Sequence, residues 1–108
     1  MENKNKDSEI NLEILRNLES NPNLTQRQMA KELDVSLGKI NYLIKSLIEK
    51  GSLIVENFKT SENKLGYLYV ITTKGIEQRR KLTLAFLKRR SEEFDKLKKE
   101  MEQLENNE

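Results

Sequence analysis

The chain has no cysteine and no histidine among its 108 residues. The first absence excludes disulfides and thiol redox sensing. Both together exclude Cys/His zinc sites and any catalysis in which an imidazole carries the proton. No apolar run approaches the ~18 residues that a membrane span requires, so no membrane partner is expected. The opening Met-Glu-Asn-Lys-Asn-Lys-Asp-Ser lacks the basic-then-apolar order of a secretory signal, which points to the cytoplasm. Charged residues make up 35% of the chain. That much charge in so short a sequence means solvated surface rather than the structured cleft that catalysis by carboxylates and lysine would need. No enzymatic activity, metal or cofactor is expected.

The length fits one small domain with an extension. The 20 basic and 18 acidic residues leave a net charge of +2, unevenly spread. Residues 74–90 hold seven basic residues and one acidic; residues 91–108 hold three basic and seven acidic. The positive excess lies between Thr25 and Arg90, as suits a polyanion partner.

Hydrophobic spacing divides the chain. Residues 1–8 are polar and expected to be disordered. From Ser8, a candidate cap, Ile10, Ile14, Leu15 and Leu18 recur at helical spacing until Asn21-Pro22-Asn23 stops the helix. Thr25 and Gln28 have the spacing of a capping box for a short second helix carrying Met29, Ala30 and Leu33. Ser36 opens a third helix with Ile40, Leu43, Ile44, Leu47 and Ile48 inward, and Gly51 suits a left-handed stop. The period then shifts to two, predicting strands at residues 53–58 and 67–72 joined by a polar loop. No proline follows Thr73, so one long helix is expected from Lys74 to Glu105.

Met29, Ala30, Leu33, Val35, Ile40 and Leu43 occupy the positions at which a helix-turn-helix buries its two helices against each other. Asp34 stands at the turn, where the backbone is left-handed and glycine is usual; aspartate tolerates that conformation. With the inward set committed, the third helix presents Ser36, Leu37, Gly38, Asn41, Tyr42 and Lys45 outward, a face suited to a major groove. Asn41 can pair with an adenine edge, Ser36 or the helix amino end can hold a phosphate, and Tyr42 can reach a phosphate or a thymine methyl. The following hairpin adds a wing whose tip, with Lys59, Asn63 and Lys64, can meet backbone phosphates. Thr25, Gln26 and Lys39 complete the candidate DNA-binding set.

Along the last helix, Leu87, Arg90, Phe94, Leu97, Met101 and Leu104 follow the alternating three and four spacing of a two-helix seam. They are the candidate dimerisation residues. The opposed charge blocks of this helix favour an antiparallel pair, which sets each basic stretch along the partner's acidic one.

Four stretches carry a resemblance to a known family: Asn21-Pro22-Asn23-Leu24-Thr25-Gln26-Arg27, Val35-Ser36-Leu37-Gly38-Lys39-Ile40-Asn41-Tyr42, Asn63-Lys64-Leu65-Gly66-Tyr67-Leu68-Tyr69 and Lys81-Leu82-Thr83-Leu84-Ala85-Phe86-Leu87. In this order they resemble winged-helix regulators of the MarR type, in particular the small exopolysaccharide-associated transcriptional regulators. The resemblance implies double-stranded DNA binding as a homodimer and control of genes near a polysaccharide locus; it assigns no small-molecule effector. The expected architecture is mainly α with a small β-hairpin. Residues 1–8 form a disordered N-terminus, 9–73 the winged helix-turn-helix DNA-binding domain and 74–108 the long C-terminal dimerisation helix. The competing reading is a winged-helix module that docks protein, with the long helix as a coiled-coil-like scaffold and no DNA target. Lys39, Lys45, Lys59, Lys64 and Asn41 on one side favour DNA, since only Leu37 and Tyr42 offer an apolar patch there.

Overall fold

The computed structural model describes residues 4–59 and 65–107. Helix α1 spans Lys4–Ser20, α2 Gln26–Leu33 and α3 Leu37–Glu49; strands β1 Leu53–Lys59 and β2 Leu65–Ile71 follow, then helix α4, Thr73–Asn106. The architecture is mostly helical with one antiparallel hairpin and a long C-terminal helix, as the hydrophobic spacing predicts.

Ile14, Leu15, Leu18, Met29, Ile40, Leu43, Ile44, Leu47 and Leu53 form the centre of the core, with Leu33, Val35 and Leu82 packed against it. Four of the six helix-turn-helix positions are therefore buried and the other two partly so. The turn is built as its residues dictate. Thr25 Oγ accepts from the Gln28 N–H at 3.0 Å while Gln28 Oε1 accepts from the Thr25 N–H at 2.9 Å, closing the capping box. Asp34 is left-handed at φ 55° and ψ 47°, and Val35 N–H returns to Ala30 O at 3.0 Å.

Three expectations are corrected. Within the stretch expected to be disordered, helix α1 is already formed from Lys4 rather than starting at Ser8. Asp7 in its first turn suits the positive helix end, and its carboxylate lies 2.6 Å from Lys39 Nζ on α3, anchoring that turn. Leu12, outside the predicted apolar set, is buried because α4 runs antiparallel along a second flank of α1, with Arg79 and Arg89 reaching Glu19 at 3.1 Å and Glu9 at 3.7 Å. Finally, β2 ends at Ile71, one residue short of the expected boundary. Thr72 instead caps α4, accepting from the Gly75 N–H at 3.0 Å and donating to Gly51 O at 2.6 Å.

The hairpin pairs Leu53 with Ile71 and Val55 with Tyr69, directing Leu53 and Tyr69 into the core. Tyr69 N–H also donates to Pro22 O at 3.2 Å, tying the α1–α2 connection to β2. Just beyond the carboxyl end of β2, α4 starts hard against the α3–β1 junction. A Cβ on Gly75 would lie 2.2 Å from Ser52 O and 2.7 Å from an Ile71 side-chain carbon. Backbone cannot give way as a flexible side chain does, so Gly75→Ala is expected to destabilise the fold by ~3 kcal/mol, the upper end of overpacking costs. Urea denaturation measures this; a change under ~1 kcal/mol would mean that α4 shifts freely at its root.

Candidate nucleic-acid interface

The outward face of α3 begins at its amino end. Ser36 is the N-cap, its Oγ accepting from the Lys39 N–H at 3.0 Å, which leaves other first-turn N–H groups pointing out of the helix end. Ser36, Leu37, Gly38, Tyr42 and Lys45 are all exposed. A Cβ on Gly38 would meet nothing closer than Ser36 Oγ at 4.0 Å. The fold thus does not require glycine there, although glycine within a helix costs ~0.5–1 kcal/mol relative to alanine. With no side chain at Gly38, the backbone of the first α3 turn is open to close approach.

The remaining predicted residues are not all free side chains on this face. Thr25 is spent on its cap. Lys39 is drawn back to Asp7, with its Nζ 5.9 Å from the centroid of the Tyr42 ring. Among the described residues no ion pair neutralises Lys45. Asn41 is half-buried, and its Nδ2 donates to Gln26 Oε1 at 3.1 Å; Gln26 Nε2 in turn donates to the Tyr69 hydroxyl at 3.0 Å. The structure therefore links Asn41 through Gln26 to a third residue, Tyr69, that sequence reasoning placed only as a strand aromatic. The available signal was a tyrosine at an inward strand position where phenylalanine would fill the same space. Lys59 closes β1; Asn63 and Lys64 lie outside the described residues.

On α4, Leu87, Phe94, Leu97, Met101 and Leu104 are between 57% and 66% exposed. Arg90 is exposed as well, its guanidinium 3.4 Å from Glu93 and 5.0 Å from the centre of the Phe86 ring. From residue 91 to residue 107 every side chain is exposed. The molecule measures 70 × 28 × 27 Å, the long dimension reflecting this projecting helix. No helix among the described residues is long and apolar enough to cross a membrane.

Residues 7–52 match the family model for winged helix-turn-helix DNA-binding domains. The chain carries a winged helix-turn-helix domain. Among solved structures, a mutant of S. aureus MepR is 22% identical, the alignment covering 91% of this chain and 72% of that one with a TM-score of 0.60. The PcaV transcriptional regulator from Streptomyces coelicolor, solved in complex with its natural ligand, is 18% identical over 82% of this chain and 70% of that one, with a TM-score of 0.51. At these identities the likeness is one of fold. It extends past the matched domain into most of the chain, so the winged-helix architecture implied by the MarR-type resemblance is the architecture found. No curated protein matches the sequence.

Proposed function

We propose that this winged helix-turn-helix protein is a sequence-specific, double-stranded DNA-binding transcriptional regulator of the MarR type. It acts as a cytoplasmic homodimer without enzymatic activity, and polysaccharide-synthesis genes are among its targets. The observation that carries the reading is the exposed amino-terminal face of α3, where Ser36, Gly38, Tyr42 and Lys45 are left outward by a core that uses none of them. In a major groove this face would set Asn41 and Tyr42 toward base edges and Lys45 toward phosphates. Ser36, Leu37 and the α3 amino end would lie at the backbone. Thr25, Gln26 and Lys39 flank it, and Lys59, Asn63 and Lys64 of the wing would follow the adjacent minor groove. The exposed seam of α4 supplies the second copy.

The test is selection of bound fragments from a random duplex pool by the purified chain. An enriched site with two-fold symmetry and half-sites about 34 Å apart, or a multiple of this, is the expected result. Recovery of no preferred sequence would overturn the reading in favour of a protein-docking module. The polysaccharide assignment is checked separately by locating the selected site upstream of such genes.

A further inference from the structure

The bonds joining Asn41, Gln26 and Tyr69 link three elements of the domain. Asn41 lies one turn into α3, Gln26 is the first residue of α2 and Tyr69 sits on wing strand β2. Tyr69 is only 8% exposed, so its ring is fixed by the core, whereas Gln26 and Asn41 are half-exposed. The hydroxyl is therefore the fixed end of the relay and Asn41 the end nearest the candidate groove face.

An asparagine amide has two donor hydrogens and an acceptor oxygen. Here one hydrogen of Asn41 is spent on Gln26, leaving one N–H and Oδ1 unclaimed by this relay. That pair is what a bidentate contact to adenine N7 and N6 requires. Reversing the relay, so that Tyr69 donates to Gln26 and Gln26 donates to Asn41, still leaves Asn41 one acceptor lone pair and its donors. In either direction the bond restricts rotation of the amide, which an exposed asparagine would otherwise sample freely, at an entropic cost on binding.

We infer that Gln26 and Tyr69 are positioning residues for sequence discrimination, holding the Asn41 amide in the orientation that reads one base pair, so that specificity at that position depends on a hydroxyl carried by the wing strand. This rests on the DNA-binding reading above and adds to it a residue, Tyr69, that need not touch DNA. It also gives the wing a role in base reading beyond that of its tip on phosphates.

Tyr69→Phe keeps the buried ring and removes only the hydroxyl; Gln26→Ala breaks the relay from a half-exposed site and serves as the second variant. The measurements are affinities of the full-length chain for its selected site, for that site with the Asn41-read base pair exchanged, and for unrelated duplex across a salt series. Both variants are expected to lower discrimination at that one base pair by about tenfold. In Tyr69→Phe, affinity for unrelated duplex and its salt slope should stay at the parent values, because the phosphate contacts are intact. Adding either substitution to Asn41→Ala should change discrimination no further. Parent-level discrimination in both variants would overturn the relay and leave the DNA-binding reading standing. So would a loss in Tyr69→Phe that is equal on all duplexes, since a purely structural hydroxyl would act that way. Failure of the parent chain to prefer any sequence would instead remove the DNA-binding reading, and the relay's role with it.

Discussion

Ending the chain after Arg90 is expected to give a folded monomer that binds its DNA site ~10²–10⁴-fold more weakly, the factor lost when two linked half-site contacts become independent. Residues 91–107 are exposed throughout and the core includes none of them, so the truncation removes no packing from the domain. It does remove Phe94, Leu97, Met101 and Leu104, an apolar row in contact with water. Each such side chain is worth ~1.5–3 kcal/mol when buried, and a contiguous exposed row of this kind marks a partner surface. At 100° per residue, the flank of α4 that meets α1 and the core, which includes Gly75, Leu82 and Arg89, lies about a third of a turn from the row through Ile76, Leu87, Phe94 and Met101. A second α4 can therefore seat without displacing α1. Analytical ultracentrifugation of the truncated and full-length chains gives the oligomeric state, and a Leu97→Asp variant of the full chain should behave as the truncation does. A truncated chain that remains a dimer of undiminished stability would place the interface elsewhere.

The fold was legible wherever a few neighbouring residues determine the geometry. Thr25 and Gln28 are three residues apart, and the capping box they spell is present. Asp34 occupies the left-handed turn, and Ser36 caps α3. Spacing along one helix likewise separated the buried Ile40 and Leu43 from the exposed Tyr42 and Lys45. What escaped sequence reading depends on residues far apart in the chain. Asp7 claims Lys39, Gln26 lies between Asn41 and Tyr69, and Gly75 fits against Ser52 O. No local period encodes such pairings, because each arises only when two elements have docked. The same reason hid the burial of Leu12, which needs α4 returning along α1. The candidate site is thus legible as a face but not as a network. The face follows from helical periodicity, whereas the partners of Lys39 and Asn41 follow from tertiary contacts.

A chain carrying both Leu87→Cys and Leu104→Cys is expected to form interchain disulfides efficiently, while one carrying Leu104→Cys alone is expected to form none. The first half of α4, residues 74–90, has seven basic residues and one acidic, and residues 91–108 have three basic and seven acidic. Two parallel copies would set like blocks side by side; an antiparallel pair sets opposite blocks together. Sliding the antiparallel pair so that Phe94 faces Leu97 of the second copy brings Leu87 opposite Leu104 and Arg90 beside Met101. In that register Lys88 and Arg89 flank the stretch containing Glu102 and Glu105. Exposed pairs contribute only ~0–1 kcal/mol each, so the charges select direction while the apolar row supplies the affinity. The natural chain has no cysteine, so every disulfide reports on the introduced thiols. Residues 87 and 104 of one helix are about 25 Å apart at 1.5 Å per residue, far beyond the ~7 Å Cα separation that a disulfide tolerates. An intrachain bridge is thereby excluded, and in the antiparallel pair the two copies of position 104 stand equally far from each other. Parallel helices would place both copies of position 104 in contact, so efficient disulfide formation by Leu104→Cys alone in dilute solution would overturn the antiparallel arrangement.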